Sequence, residues 1–150
     1  MEKIADALVK AVTSVAPVLA QVDEQEAAVR PAADAWSKKE VVGHLIDSAA
    51  NNHQRFVRAQ GVTSLDFPPY EQEAWVQRQD YAGAPWEALV ELWRLYNLHL
   101  AYLIRKIPAD KLQTICRIGA NEPVTLGFLI EDYLAHLRLH LKQLGLSLDD

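Results

Sequence analysis

The sequence predicts an all-α protein, a four-helix bundle, and three observations carry that prediction. Four long segments repeat apolar residues at the three- and four-residue spacing of a helix, and polar or proline-containing connectors separate them. Half of the 150 residues are hydrophobic, which excludes an intrinsically disordered chain. No apolar run approaches the roughly 18 residues of a membrane span. The length suits one domain covering residues 1–150.

The first two helices are predicted from their apolar stripes and their ends. The first is expected near residues 2–22, with a bend at Pro17. The second is expected near residues 37–60, and the stretch WSKKEV marks its start. Ser37 can accept a hydrogen bond from a free backbone amide while Glu40 reaches back, as in a capping box. We therefore interpret Glu40 as a cap rather than as a catalytic base.

The last two helices are also bounded by recognisable residues. The third is expected near residues 85–107, where a proline stands at each end. The fourth is expected near residues 125–144, capped by Thr125 and terminated by Gly145. The irregular stretch between them predicts a short extended pair around residues 119–121. Four helices with long connectors favour a bundle over a helical array.

A long connector, residues 61–84, joins the second and third helices. It predicts a helical turn over residues 71–78 and carries the aromatic residues Phe67, Tyr70 and Trp75. Connectors of this length often cover a functional site or a partner surface. Because a solvent-exposed loop rarely shows so much apolar area, we expect a homodimer that uses these aromatics. The alternative is that they fold back as a lid.

The leucine-rich stretch DYLAHLRLHLKQLG places His136 and His140 one turn apart on one helix face. Two imidazoles so placed can hold one metal ion, although a useful site needs a third ligand. The candidates for that ligand are His44, His53 and His99. A leucine follows the first histidine of the pair where zincin proteases have glutamate, which excludes that class. Ordinary surface or core histidines are the alternative reading.

Two carboxylates are candidates to support such a site. Asp132 lies one turn before His136 and could accept a hydrogen bond from its imidazole. Asp47 lies in the second helix on the polar face that also carries His44 and Asn51. A polar stripe beside a core stripe suits the wall of a pocket between helices. The sequence identifies no catalytic residue beyond these candidates.

Three stretches, WSKKEVVGHLIDS, PYEQEAW and TLGFLIEDYLAHLRLHLKQL, resemble the DinB-like superfamily, in particular its bacillithiol-transferase-like branch of metal-dependent hydrolases. The resemblance covers about residues 36–144. It implies a four-helix bundle with an up-down-down-up arrangement. It also implies a divalent metal, zinc or nickel, held by one histidine of the second helix and the pair of the fourth. These positions correspond to His44, His136 and His140.

The resemblance further implies an activity, since characterised members of the family transfer thiol groups. Some join a low-molecular-weight thiol such as bacillithiol or glutathione to an electrophile. The expected function is therefore a metal-dependent thiol S-transferase or hydrolase that acts on a small electrophilic substrate, with a thiol as co-substrate. One alternative is a non-catalytic metal-binding module of a stress response. The other is a helical bundle whose histidines bind no metal.

Composition limits the partners and the compartment. The net charge of -5, with no basic stripe, gives no general attraction to nucleic acid. The N-terminal segment carries charges through its apolar pattern, so we expect neither a signal peptide nor a membrane partner. The single cysteine, Cys116, cannot form an internal disulfide and suits a reducing cytoplasm. A cytoplasmic protein with a small-molecule substrate is the expectation.

Overall fold

The computed structural model describes residues 1–146, which are mostly helical with a small sheet. Two short 3-10 helices, Tyr81–Gly83 and Ala109–Gln113, lie in connectors. The helices of the described residues are α1 Glu2–Leu19, α2 Glu24–Ala28, α3 Lys38–Ala59, α4 Gln72–Arg78, α5 Trp86–Lys106 and α6 Leu126–Gln143. The strands are β1 Ser64–Phe67, β2 Ile115–Ile118 and β3 Val124–Thr125.

The four long helices, α1, α3, α5 and α6, confirm the four predicted helical segments. α1 packs mainly against α5, while α3 packs against both α5 and α6. The apolar stripes meet in one core, whose largest fully buried side chains include Trp93, Phe56, Leu45 and Ile130. The up-down-down-up order of the helices stays a prediction. Within residues 1–146, no helix combines the length and apolar character needed to cross a membrane.

The all-α prediction is incomplete, because three short strands form a sheet in the order β1-β2-β3. The extended pair expected around residues 119–121 is the antiparallel β2–β3 hairpin. β1 was not predicted; it pairs parallel with β2, so that Leu65 lies opposite Cys116. Four residues are too few for alternation to reveal a strand whose partner lies far away in the chain. Gly119, at a positive φ of 59°, makes the turn after β2.

The predicted helix starts are confirmed by their hydrogen bonds. The Glu40 amide donates to Ser37 Oγ at 3.3 Å, and the Ser37 amide donates to Glu40 Oε2 at 2.9 Å. The same carboxylate forms an ion pair with Arg30. Thr125 Oγ1 accepts a hydrogen bond from the Phe128 amide at 3.2 Å. The Glu40 carboxylate is therefore occupied in capping α3. His44 lies one turn further along the same helix.

The aromatic residues of the long connector lie against the chain itself. Phe67, Tyr70 and Trp75 are each half-buried. The ring of Phe67 lies 5.5 Å from the guanidinium carbon of Arg55, and the rings of Tyr70 and Trp75 are 5.0 Å apart. The helical turn expected at residues 71–78 is α4, which packs against α3. The homodimer stays a prediction, because these contacts already occupy part of the apolar area that motivated it.

Candidate metal centre

Three histidines converge between α3 and α6. His44 Nε2 lies 3.2 Å from His136 Nε2, which lies 3.1 Å from His140 Nε2. One nitrogen from each ring can be chosen so that all three lie within 4.8 Å of one another. His44 is fully buried, and the other two are half-buried. The structure thus brings together the three histidines that the family resemblance selects.

Local structure explains why these side chains meet. His136 and His140 are four residues apart on α6, so their rings project from the same face on successive turns. His44 lies in the buried stretch of α3 that packs against α6. The ring of Trp36, which precedes the capping serine, lies 5.1 Å from the ring of His44 at an angle of 42°. The capped start of α3 therefore supplies both a candidate ligand and an aromatic wall.

The three imidazoles are held neutral by their surroundings. Burial, followed by the nearby charges of His140 and His136, lowers the pKa of His44 to about 3. Burial and the charge of His140 lower the pKa of His136 to about 4, although Asp132 opposes this shift. Burial also lowers the pKa of His140. Near neutral pH each ring therefore keeps a lone pair that can bind a metal.

The donor set fits a metal ion on two geometric grounds. His140 Nδ1 lies 2.9 Å from Gln143 Oε1, and His136 Nδ1 lies 3.5 Å from Ser48 Oγ. When these Nδ1 atoms donate to the oxygens, the Nε2 lone pairs point at each other and repel unless a cation lies between them. Ligands of a tetrahedral zinc ion are roughly 3.3 Å apart. The distances of 3.2 Å and 3.1 Å from His136 Nε2 to the Nε2 atoms of His44 and His140 are close to this value.

His140, one of the three histidines, lines a cavity of about 730 Å³. Trp36, Val41 and Leu144 give it an apolar surface, and acidic side chains including Glu73 line it as well. It is large enough for a small organic molecule. The sequence did not single out Trp36 as part of the site; its position directly before the cap of α3 is the signal that could have placed it there.

The two candidate carboxylates make no hydrogen bond to the histidines. Asp47 Oδ1 accepts hydrogen bonds from Gln79 Nε2 and from the Tyr81 hydroxyl, both at 2.7 Å. Burial raises the pKa of Asp47, and these two hydrogen bonds oppose the shift. Asp132 is exposed and acts on His136 through its charge. Within the described part of the chain, Ser48 is the side chain that contacts His136 Nδ1.

The remaining two histidines lie elsewhere and face each other. The rings of His53 and His99 are 5.1 Å apart. His53 Nδ1 also lies 3.1 Å from the hydroxyl of Tyr96. The structure therefore places both outside the group of three, in the contact between α3 and α5.

A mostly helical bundle with three converging neutral imidazoles defines a protein with a candidate histidine metal centre. The chain belongs to the DinB superfamily, whose family model matches residues 7–144. It is 30% identical to the "Putative metal-dependent hydrolase" of Bacillus mycoides (strain KBAB4) over 105 residues. That alignment covers 70% of this chain and 60% of the relative, so the chain matches less than two thirds of the relative's length.

A solved structure has the same fold. It is YfiT from Bacillus subtilis, described as "a probable metal-dependent hydrolase with an unusual four-helix bundle topology". The TM-score is 0.75 at 19% sequence identity, and the match covers 97% of this chain and 87% of YfiT. At this identity the likeness shows the fold alone. Together with the family match, it confirms the resemblance drawn from the sequence.

Proposed function

We propose that this protein is a metal-dependent enzyme of the DinB superfamily, a thiol S-transferase or hydrolase that acts on a small electrophilic substrate. His44, His136 and His140 hold its divalent ion, zinc or nickel. The observation that carries the proposal is the convergence of three neutral imidazoles across α3 and α6. We also propose the up-down-down-up order for the four long helices, α1, α3, α5 and α6.

A bound divalent ion supplies Lewis acidity that lowers the pKa of a thiol or a water molecule. Three neutral imidazoles leave the double positive charge of such an ion uncompensated and a coordination position free. Ser48 and Gln143 orient two of the rings through their Nδ1 atoms. Trp36 lies against the third and shields it from water. The adjoining cavity admits the substrate from the side of His140.

A thiol used in the reaction comes from a co-substrate in this proposal. The chain's own cysteine, Cys116, is fully buried in β2, where burial raises the pKa of its thiol. A buried thiol with a raised pKa is a poor nucleophile. The names of the two related proteins support the hydrolase version, in which water takes the place of the thiol.

One observation favours a second candidate, a non-catalytic metal-binding module. Among residues 1–146, no carboxylate lies within hydrogen-bond distance of the three histidines. Glu40 caps α3, and Asp47 accepts hydrogen bonds from Gln79 and Tyr81. A site without a general base can bind a metal without turning over a substrate.

Elemental analysis of the protein, purified without a histidine tag, tests the metal. A stoichiometric divalent ion is expected, and its absence contradicts the proposal. The reaction is then tested with glutathione or bacillithiol and monochlorobimane, and with small esters in the absence of thiol. Conversion that chelation abolishes and zinc or nickel restores supports the enzyme. A metal-loaded protein inactive in every assay favours the binding module. His99→Ala serves as the matched control, because His99 lies outside the group of three.

We also propose that the protein is a homodimer. Exposed apolar residues on α5, among them Leu92, Leu95 and Tyr102, add to the apolar area of the connector. Sedimentation equilibrium over a range of protein concentrations measures the mass directly. A monomer at every concentration contradicts the dimer and leaves the connector aromatics as a cover of the site.

A further inference from the structure

A buried arginine without a counterion lies on the same helix as His44. Arg55 is only 8% exposed, and within residues 1–146 no carboxylate lies within ion-pair distance of it. Its Nε–H is buried and has no acceptor. Lys39, which is also buried, shows the usual arrangement, because it forms an ion pair with Glu24. An uncompensated buried charge is unfavourable, so an anion that paired with Arg55 would stabilise it.

The contacts that Arg55 does make are weak. Its Nη1 donates to Asn52 Oδ1 at 3.4 Å, and its guanidinium lies over the ring of Phe67 at 5.5 Å. Burial lowers the pKa of Arg55, and the charge of Asp132 opposes this shift from beyond ion-pair distance. Arginine nevertheless stays protonated in proteins. The guanidinium therefore keeps a full positive charge and an unused donor.

Polar side chains connect Arg55 with the candidate metal centre. Asn52 Nδ2 lies 3.5 Å from Ser48 Oγ, which lies 3.5 Å from His136 Nδ1. His44 and Arg55 are eleven residues apart, close to three turns of α3, so they share one face of that helix. A strip of polar groups thus runs along α3 from the three histidines to the guanidinium.

Tyr70 of the long connector lies near this strip. Its pKa is raised by burial and by the charge of Asp47, while Arg55 and a hydrogen bond with Ser48 oppose the shift. Tyr70 therefore lies near enough to Ser48 and Arg55 for both to affect the ionisation of its hydroxyl. The connector places an aromatic side chain and a polar tip beside the strip, as expected for a covered binding site.

We propose that Arg55 is the receptor for a carboxylate of the substrate or co-substrate, which lies along this strip of α3 with its reacting end at the three histidines. The guanidinium presents a planar fork of N–H donors that matches a carboxylate, and its free Nε–H belongs to that fork. A single positive charge suits a monoanionic carboxylate, and the nearby charge of Asp132 repels a phosphate dianion more strongly than a monoanion. The position of the reacting end rests on the proposed function; the carboxylate receptor does not.

The test is a titration of the ¹⁵N-labelled full-length protein with sodium propionate at constant ionic strength, followed by NMR. We expect the Arg55 Nε–H signal to shift saturably with propionate and not with propionamide, which has the same shape without the charge. The affinity should fall at least tenfold in Arg55→Met. It should be unchanged in Arg58→Met, since Arg58 is exposed on the same helix and donates to Gln54 Oε1 at 2.9 Å.

The His44→Ala variant separates this proposal from that of the metal centre. Propionate binding that persists in His44→Ala supports the carboxylate receptor, whether or not the wild-type protein holds a metal. A wild-type protein that shows no saturable shift overturns the receptor, even if it binds zinc. An equal response to propionamide, or tighter binding of inorganic phosphate than of propionate, also overturns it. The wild-type titration decides the question even if Arg55→Met fails to fold.

Discussion

The Nε2 atoms of His44 and His136 lie 3.2 Å apart although 92 residues separate the two histidines in the chain. Neither position is unusual on its own, since each is a histidine on a helix that packs against the core. Their proximity depends on the contact between α3 and α6, which also brings Ser48 to His136.

We expect each of the single variants His44→Ala, His136→Ala and His140→Ala to lose its metal. Two remaining imidazoles bind a divalent ion far more weakly than three, so binding should weaken by orders of magnitude. His53→Ala and His99→Ala should retain wild-type metal content, because these residues form a separate pair. Elemental analysis of the five purified variants measures this. Loss of metal from His53→Ala together with retention in His44→Ala would show that the third ligand is wrong.

Acid should destabilise the metal-free protein through its buried histidines. Folding lowers the pKa of His44 from its usual value near 6.5 to about 3, so the unfolded state takes up a proton first as pH falls. The contribution of neutral His44 to stability is present above pH 6.5 and is lost toward the folded pKa. Between pH 7 and 4.5 the loss is about 2 kcal/mol for this residue.

Urea unfolding after treatment with a chelator measures that loss at the two pH values. His44→Gln has no titrating ring, so its free energy of unfolding should fall by less than that of the wild type. His99→Ala is the control for removing a histidine outside the group of three. An identical pH dependence in the wild type and His44→Gln would show that His44 is not desolvated in the folded protein.

Gly43→Ala should destabilise the start of α3 by about 1 to 3 kcal/mol. A Cβ atom at Gly43 would overlap the ring of Tyr81, whose hydroxyl donates to Asp47 Oδ1 at 2.7 Å. The substitution therefore displaces the ring and weakens that hydrogen bond. Gly61→Ala is the matched control, because its nearest atom, Arg58 O, would lie at an ordinary 3.7 Å. Thermal unfolding of both variants gives the comparison, and equal melting temperatures would contradict the close packing.

Cys116 should be inert in the native protein. Its side chain is fully buried, and its thiol lies 3.6 Å from the Thr114 carbonyl oxygen as a weak donor. A disulfide reagent such as DTNB should modify it slowly under native conditions and at once in urea. Cys116→Ala should keep its metal content and any thiol-dependent activity. Rapid native modification that abolishes activity would assign the reacting thiol to the protein rather than to a co-substrate.

The sequence by itself determined the parts of this protein that depend on neighbours within one or two turns. Periodicity located the four long helices, and hydrogen bonds spanning three residues, as at Ser37 and Thr125, marked two of their starts. The pairing of His136 with His140 follows from the same helical geometry. These features could be predicted because the interactions that create them are local.

Only the tertiary structure decided which distant side chains meet. Spacing within the chain left three candidates for a third histidine, and the resemblance, rather than spacing, selected His44. β1 could not be predicted from the sequence because its partner strand, β2, lies about fifty residues further along the chain. The burial of Arg55 without a counterion also depends on helices packing side by side. Burial that lowers the pKa of a histidine or isolates an arginine arises only when distant segments exclude water together.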